Sequence, residues 1–136
     1  MTDNLLVRIV AVAIAGGMGA VLRWGVSRFS QEFFTEHWPV GTLLVNILGC
    51  FCFGLAYEML RHQTTDVSLL RLVIMTGFAG GLTTFSTFAF DTFELALASS
   101  EQSLTASLLK AAANVCLHLA FGIIALAAGI ATGRAS

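Results

Sequence analysis

Apolar residues in this chain come in long continuous runs rather than at the spacing of one face of a surface helix. Four runs stand out, at about 5–26, 41–60, 70–97 and 105–132. Each is near or above the ~20 residues that a helix needs to cross a bilayer core. Polar connections separate them, from Ser27 to Val40, Arg61 to Leu69 and Ala98 to Leu104, and the only proline, Pro39, lies in the first. Spanning barrel strands would instead show ~10-residue segments of alternating polarity. The pattern predicts an all-α membrane protein, one four-helix domain over residues 1–136. The run from Leu5 to Ala20 could pass for a signal-peptide core. Its leader, however, carries Asp3, and its earliest basic residue, Arg8, is already inside the run. A cleavable signal needs a basic leader and a small-residue cleavage site, so the run is expected to be kept as the first span.

The third run is not uniform. Gly77-Phe-Ala-Gly-Gly-Leu-Thr-Thr-Phe-Ser-Thr-Phe88 combines three glycines, four hydroxyl residues and three phenylalanines. Glycine disfavours a helix interior by about 1 kcal/mol relative to alanine, so Gly77, Gly80 and Gly81 predict a helix broken near Gly77–Gly81. A break frees backbone carbonyls that need partners, and a bound cation is one solution, as in the discontinuous helices of transporters. A tightly packed helix crossing is the other reading of the same glycines. Irregular backbone and hydroxyls at membrane depth are tolerated where they line a cavity or a path, which points towards transport.

Composition narrows the class. The chain is 57% apolar and 11% charged, against about a quarter charged in a soluble domain, so it cannot clothe itself in a water-facing surface. A net charge of −1 and the lack of a basic run leave no electrostatic case for nucleic acid. Cys50, Cys52 and Cys116 lie within apolar runs; their odd number argues against a disulfide framework, and they read as small apolar helix residues. Small residues at Gly16, Gly17, Gly19, Ala20, Gly49 and Gly54 suit close helix packing in lipid. With four crossings, Arg8, Arg61, Arg71 and Arg134 fall on one side, against Arg23, Arg28 and Lys110 on the other. So small a bias under the positive-inside rule makes insertion in both orientations, and an antiparallel homodimer, a natural expectation.

Candidate chemistry follows the break. Phe85 and Phe88 are three apart and share a helix face, while Thr84, Thr87 and Asp91 form a second stripe with Ser86 beside it. Phenyl rings are positive at their edges and can face a small anion edge-on while hydroxyls donate to it; ordinary packing is the alternative. Asn46 and Asn114 are either interhelical glue, at about 0.6–2 kcal/mol each, or pore donors. Arg23 either snorkels to the headgroups or draws anions into a vestibule. Asp91 and Glu94 could titrate, pair with a base or reach water, and Lys110 and His118 are further polar residues expected to face water or the bundle interior. No nucleophile and base recur at a recognisable spacing, so enzyme chemistry has no support.

Three motifs, Gly-Ala-Val-Leu-Arg23-Trp24, Gly41-Thr-Leu-Leu-Val-Asn46-Ile-Leu-Gly49 and Thr76-Gly-Phe-Ala-Gly-Gly-Leu-Thr-Thr-Phe-Ser-Thr-Phe88, resemble the CrcB/Fluc family of fluoride channels in order and spacing. The resemblance covers nearly the whole length. It implies a dual-topology antiparallel homodimer in the bacterial inner membrane with two fluoride pathways. It further implies that Phe85 and Phe88 form an edge-on aromatic box, with Asn46 and Asn114 as pore-lining residues and Ser86 and Thr87 as a hydroxyl track. Carbonyls of Gly80 and Thr83 from both subunits would hold a structural sodium ion at the dimer interface, and Arg23 would lie near the vestibule. The chain departs from the family pattern at Ala89-Phe90-Asp91, where Ser-x-Glu is usual, and at Lys110 and His118, where neutral polar residues are expected. The competing expectation is a small multidrug-type, proton-coupled cation exporter, which would want a buried carboxylate in the first helix; Leu5 to Val26 contains none. A non-transporting assembly protein would leave the hydroxyl cluster and the asparagines unexplained.

Overall fold

The computed structural model describes residues 4–33, 38–63, 67–97 and 103–135, all of it helix and connections without a strand among the described residues. The first span is α1, Leu5–Phe33, and the second is α2, Val40–Arg61. The third, Ser68–Leu97, is divided into α3, 68–82, and α4, Phe85–Leu97, and the last is α5, Leu104–Ala135. All four spans are long and apolar enough to cross a membrane.

Two helices outrun their apolar segments for a packing reason. At ~1.5 Å per residue, the 29 residues of α1 reach about 44 Å, and its last turns carry Ser27, Ser30 and Gln31 beyond the apolar run. Gly41 of α2 holds that extension close, since a Cβ there would come 2.5 Å from Ser30 Oγ and 2.9 Å from Ser27 Cα. The end of α5 is fixed by Gly133, where a Cβ would meet Glu58 Cβ at 2.8 Å. Glu58 itself is buried in α2, and its Oε1 pairs with Arg61 at 3.1 Å and with Arg134 at 3.4 Å. Arg71 donates to the Leu60 carbonyl and Arg8 to Ser68 Oγ. All four arginines that the sequence places on one side of the membrane are therefore tied into contacts between helices or along α2.

Small residues set the interior distances. A Cβ at Gly54 would sit 2.2 Å from the Leu126 carbonyl oxygen, and one at Gly129 2.2 Å from that of Phe51, so α2 and α5 touch backbone to backbone. The same holds between α1 and α3, where a Cβ at Gly19 would meet the Phe78 carbonyl oxygen and one at Gly81 that of Gly16, each at 2.3 Å. Lipid gives no hydrophobic drive between helices, so this close dispersion contact holds them together. Large apolar side chains such as Val21, Leu119 and Ile123 point outward instead.

The interruption of the third span differs from the expected place. Gly77, Gly80 and Gly81 stay helical, with no positive φ among the described residues. The backbone leaves the helix at Thr83, which is extended with φ −78° and ψ 156°, and Thr84. Gly77 and Gly81 serve the close approach to α1 rather than the break, whereas a Cβ at Gly80 would meet only the Met75 carbonyl oxygen, at 3.7 Å. From Leu72 to Ala79 the chain winds as a π-helix, and the Gly80 amide reaches back to the Met75 carbonyl as well as to that of Gly77. Such wider turns are rare and frequent at functional sites.

Gly54→Val is expected to lower the melting temperature of purified protein sharply, since overpacking costs about 1–3 kcal/mol or more where backbone is the neighbour. Gly25→Ala, where a Cβ meets nothing within 4 Å, should leave it unchanged or slightly raised; a thermal melt in detergent compares the two.

Candidate functional site

The site is organised by one amide. Asn46 Oδ1 accepts from the Thr84 N–H at 2.8 Å, and its Nδ2 donates to the Thr84 carbonyl at 3.2 Å. The side chain thus satisfies both main-chain groups of a residue that has left its helix. Gly49, one turn along α2, provides the room: a Cβ there would come 2.2 Å from Thr83 Cγ2. Asn46 is therefore a link between helices, and the second hydrogen of its amide remains as a donor.

Below the break, Thr84 begins α4 as its N-cap. Its Oγ1 accepts from the Thr87 N–H at 3.2 Å, donates to Thr87 Oγ1 at 3.0 Å and lies 3.3 Å from Ser86 Oγ. Three hydroxyls are thereby gathered at the positive end of the helix, where amides lack helical partners. The Phe85 and Phe88 rings lie 5.6 Å apart between centroids, inclined at 54°. Phe85 is 79% exposed on the surface of the single chain. Phe88 is half-buried and stacks at 4.5 Å and 45° on His118 of α5.

A second polar line joins α4 to α5. Asn114, fully buried, donates through Nδ2 to Thr92 Oγ1 at 2.8 Å, and Thr92 donates to the Phe88 carbonyl at 2.7 Å. His118 Nδ1 lies 2.9 Å from the Asn114 carbonyl. Asn114 Oδ1 and His118 Nε2 are buried without a hydrogen-bond partner among the described residues. Towards the other end, Thr42 donates to Asp91 at 2.6 Å beside a cavity of about 660 Å³ that Thr42, Thr87, Asp91 and Glu94 share with the end of α1.

Of the residues singled out from the sequence, Asn46, Phe85, Ser86, Thr87 and Phe88 come together around Thr84, and Asn114 joins them through Thr92. Arg23 does not: it is half-buried on α1, lies outside the cavity lining and makes no hydrogen bond or ion pair with a described residue. Lys110 is exposed on α5. Gly80 and Thr83 lie just above the break. The Thr84 amide, which a continuous helix would aim at the Gly80 carbonyl, is diverted to Asn46, while both the amide and the hydroxyl of Thr83 donate to the Ala79 carbonyl at 3.0 Å. Among the described residues no three His, Cys, Asp or Glu side chains cluster for a metal; the oxygens beside the break are main-chain carbonyls and hydroxyls. Thr92 and Thr42 were not among the expected site residues, and Thr84 was read only as one member of the hydroxyl stripe, not as the residue around which the group forms. For Thr84, the hydroxyl three residues ahead of Thr87 was a capping signal; Thr92 and Thr42 become visible only once their partners on other helices are placed.

Comparison with known proteins bears on the family of the chain rather than on this geometry. The family model described as "CrcB-like protein, Camphor Resistance (CrcB)" matches residues 10–130. A protein of Allorhizobium ampelinum named fluoride-specific ion channel FluC is 38% identical, over 93% of this chain and 95% of its own length. Proteins of the same name from Chloroflexus aurantiacus and Nitratidesulfovibrio vulgaris are each 35% identical over 93% of this chain, covering 94% and 97% of their own lengths. These relatives are bacterial and are named as channels, not enzymes. With four spanning helices, this is a multi-pass bacterial membrane protein, and the chain belongs to the CrcB family.

Proposed function

We propose that this chain is a fluoride channel that lets cytoplasmic fluoride leave by passive conduction. The observation that carries the reading is the file opened by the helix break: the Asn46 amide, the Thr84, Ser86 and Thr87 hydroxyls, and the Phe85 and Phe88 rings in contact. Fluoride is small and strongly hydrated, so a pore must replace its water with close donors that also release it. Many weak donors suit that need better than one fixed charge. Hydroxyls, an amide N–H and the positive ring edges are such donors. The names of the relatives supply the ion, and proton-coupled cation export lacks a corresponding feature. The buried carboxylate Glu58 lies in α2 and is held by Arg61 and Arg134 rather than open to a substrate.

The working unit in this reading is an antiparallel homodimer with two pathways. The 79% exposed Phe85 ring belongs at a boundary that a second copy would complete. A structural sodium ion fits the chemistry above the break: the Gly80 carbonyl loses its helical donor, the Thr83 backbone is extended, and hard cations favour oxygen donors. The ion would neutralise carbonyls left over by the interruption and hold the two copies in register. Arg23 would act at long range by drawing anions to the mouth.

Liposomes loaded with fluoride and containing purified protein are expected to release it rapidly while retaining chloride. Phe85→Ile and Phe88→Ile should slow that release by about tenfold or more, as should Asn46→Asp, which sets an acceptor against the Thr84 carbonyl; leaving a buried polar group unsatisfied costs about 1–3 kcal/mol. Trapped fluoride alongside movement of a cationic dye against a proton gradient would overturn the channel reading. Replacing sodium by a large organic cation during purification should lower the melting temperature and the yield of dimer, read by size-exclusion with light scattering. An unchanged melt would remove the sodium assignment.

A further inference from the structure

At the end of the bundle away from the cavity, guanidiniums from three helices converge on the C-terminus of α2. Arg61 of α2 and Arg134 of α5 share Glu58 Oε1, at 3.1 and 3.4 Å, and Arg71 of α3 donates to the Leu60 carbonyl. Each is held by only part of its fork. Arg61 uses Nη2 towards Glu58 and Nε towards His62 at 2.7 Å, Arg71 uses Nη2, and Arg134 uses Nε. No described residue is recorded as accepting from their remaining N–H groups, and all three residues are exposed. The contacts already fix these long side chains, so a ligand would have little rotamer freedom left to quench. Three positive charges face one carboxylate and the negative ends of α2 and α5, each equivalent to about half a charge. Roughly one positive charge is left over. Asp3 and Asp66, which the sequence places at this end, lie outside the described residues.

The position along the spans decides what can meet this charge. Arg61 directly follows the second apolar run, Arg71 stands at the start of the third and Arg134 lies two residues past the fourth, which is the depth of the lipid headgroups. Tyr57, one turn before Arg61 on the same helix face, and Leu70, next to Arg71, are exposed apolar surface leading from the arginines into the bilayer. We infer that Arg61, Arg71 and Arg134 form a binding site for the phosphate of an anionic phospholipid, whose acyl chains lie along Tyr57 and Leu70. A guanidinium fork matches phosphate oxygens two at a time, and basic groups gathered between helix ends at the membrane surface suit such headgroups. A zwitterionic lipid offers the same phosphate but brings an ammonium into a cluster that already has positive charge to spare. A soluble phosphate would leave the apolar surface unused. The bound lipid ties the ends of α2, α3 and α5 together, at a distance from the helix break and whatever ion passes there.

The test is native mass spectrometry of the full chain from micelles that hold equal amounts of phosphatidylglycerol and phosphatidylcholine. Wild-type protein is expected to retain the anionic lipid over the zwitterionic one by about tenfold or more. Arg71→Gln and Arg134→Gln should bring that ratio close to one. Glu58→Gln removes the carboxylate and keeps all three guanidiniums, so it should lower the melting temperature while the preference holds or rises. A merely structural cluster would lose both together. Equal retention of the two lipids by wild-type protein, an unchanged ratio in both arginine variants, or loss of the preference in Glu58→Gln overturns the site. Displacement of phosphatidylglycerol by excess inorganic phosphate would assign the arginines to a soluble anion and overturn the lipid. If neither arginine variant can be purified, the wild-type thermal melt decides. Phosphatidylglycerol must then raise the melting temperature above that in phosphatidylcholine, and equal melts overturn the inference.

Discussion

The side-chain amide of Asn46 against the main chain of Thr84 is the contact on which the rest of the site depends. A helix interrupted at membrane depth has no water to satisfy the backbone groups it releases, and each unmet group costs several kcal/mol in hydrocarbon. The two hydrogen bonds at 2.8 and 3.2 Å resolve that problem at Thr84. They also decide which groups are left over. Diverting the Thr84 amide releases the Gly80 carbonyl on one side, and Thr84 becomes free to cap α4 and gather hydroxyls on the other. One interaction thus creates both an oxygen-rich region and a donor-rich region, separated by a single extended residue.

That contact requires α2 to be close and fixed. The Gly49 notch admits Thr83, while Gly54 and Gly129 bring α2 and α5 into backbone contact. At the opposite end Glu58, with its two arginines, stops α2 and α5 from sliding. On the far face of the third span, Gly19 and Gly81 press α1 against α3. The break is therefore braced by neighbours on both sides, which allows two consecutive residues to remain non-helical without destroying the span. Because α5 is locked to α2, it also presents Asn114 and His118 to α4 at a fixed height, beside Phe88.

The four spans and the polar character of the third were legible in the sequence, because the length and continuity of an apolar run follow directly from bilayer thickness. The place of the break was not. Three glycines suggested local loss of helix, but propensity is a weak term beside packing. At Gly81 the missing side chain is needed to let Gly16 approach, and α1 and α3 gain contact by keeping that segment wound. The lengths of α1 and α5 escaped for a similar reason: polar residues past the apolar run stay helical because Gly41 and Gly133 supply contacts from another helix.

For the site, residue identity and spacing indicated Asn46, Phe85, Ser86, Thr87, Phe88 and Asn114, since hydroxyls and amides at membrane depth need partners and the two rings share a helix face with them close by. Their grouping at one level of the bundle required contacts between residues 38 positions apart, Asn46 and Thr84, and 22 apart, Thr92 and Asn114. The sequence by itself determined that the chain crosses the membrane four times and carries donors within its third span, because burial of apolar surface and the price of polar atoms in lipid act residue by residue. Only the tertiary structure decided where the helix opens, that Arg23 stands apart, and that His118 meets Phe88. Those outcomes depend on which backbone surfaces come within van der Waals distance across helices, and no local pattern encodes that.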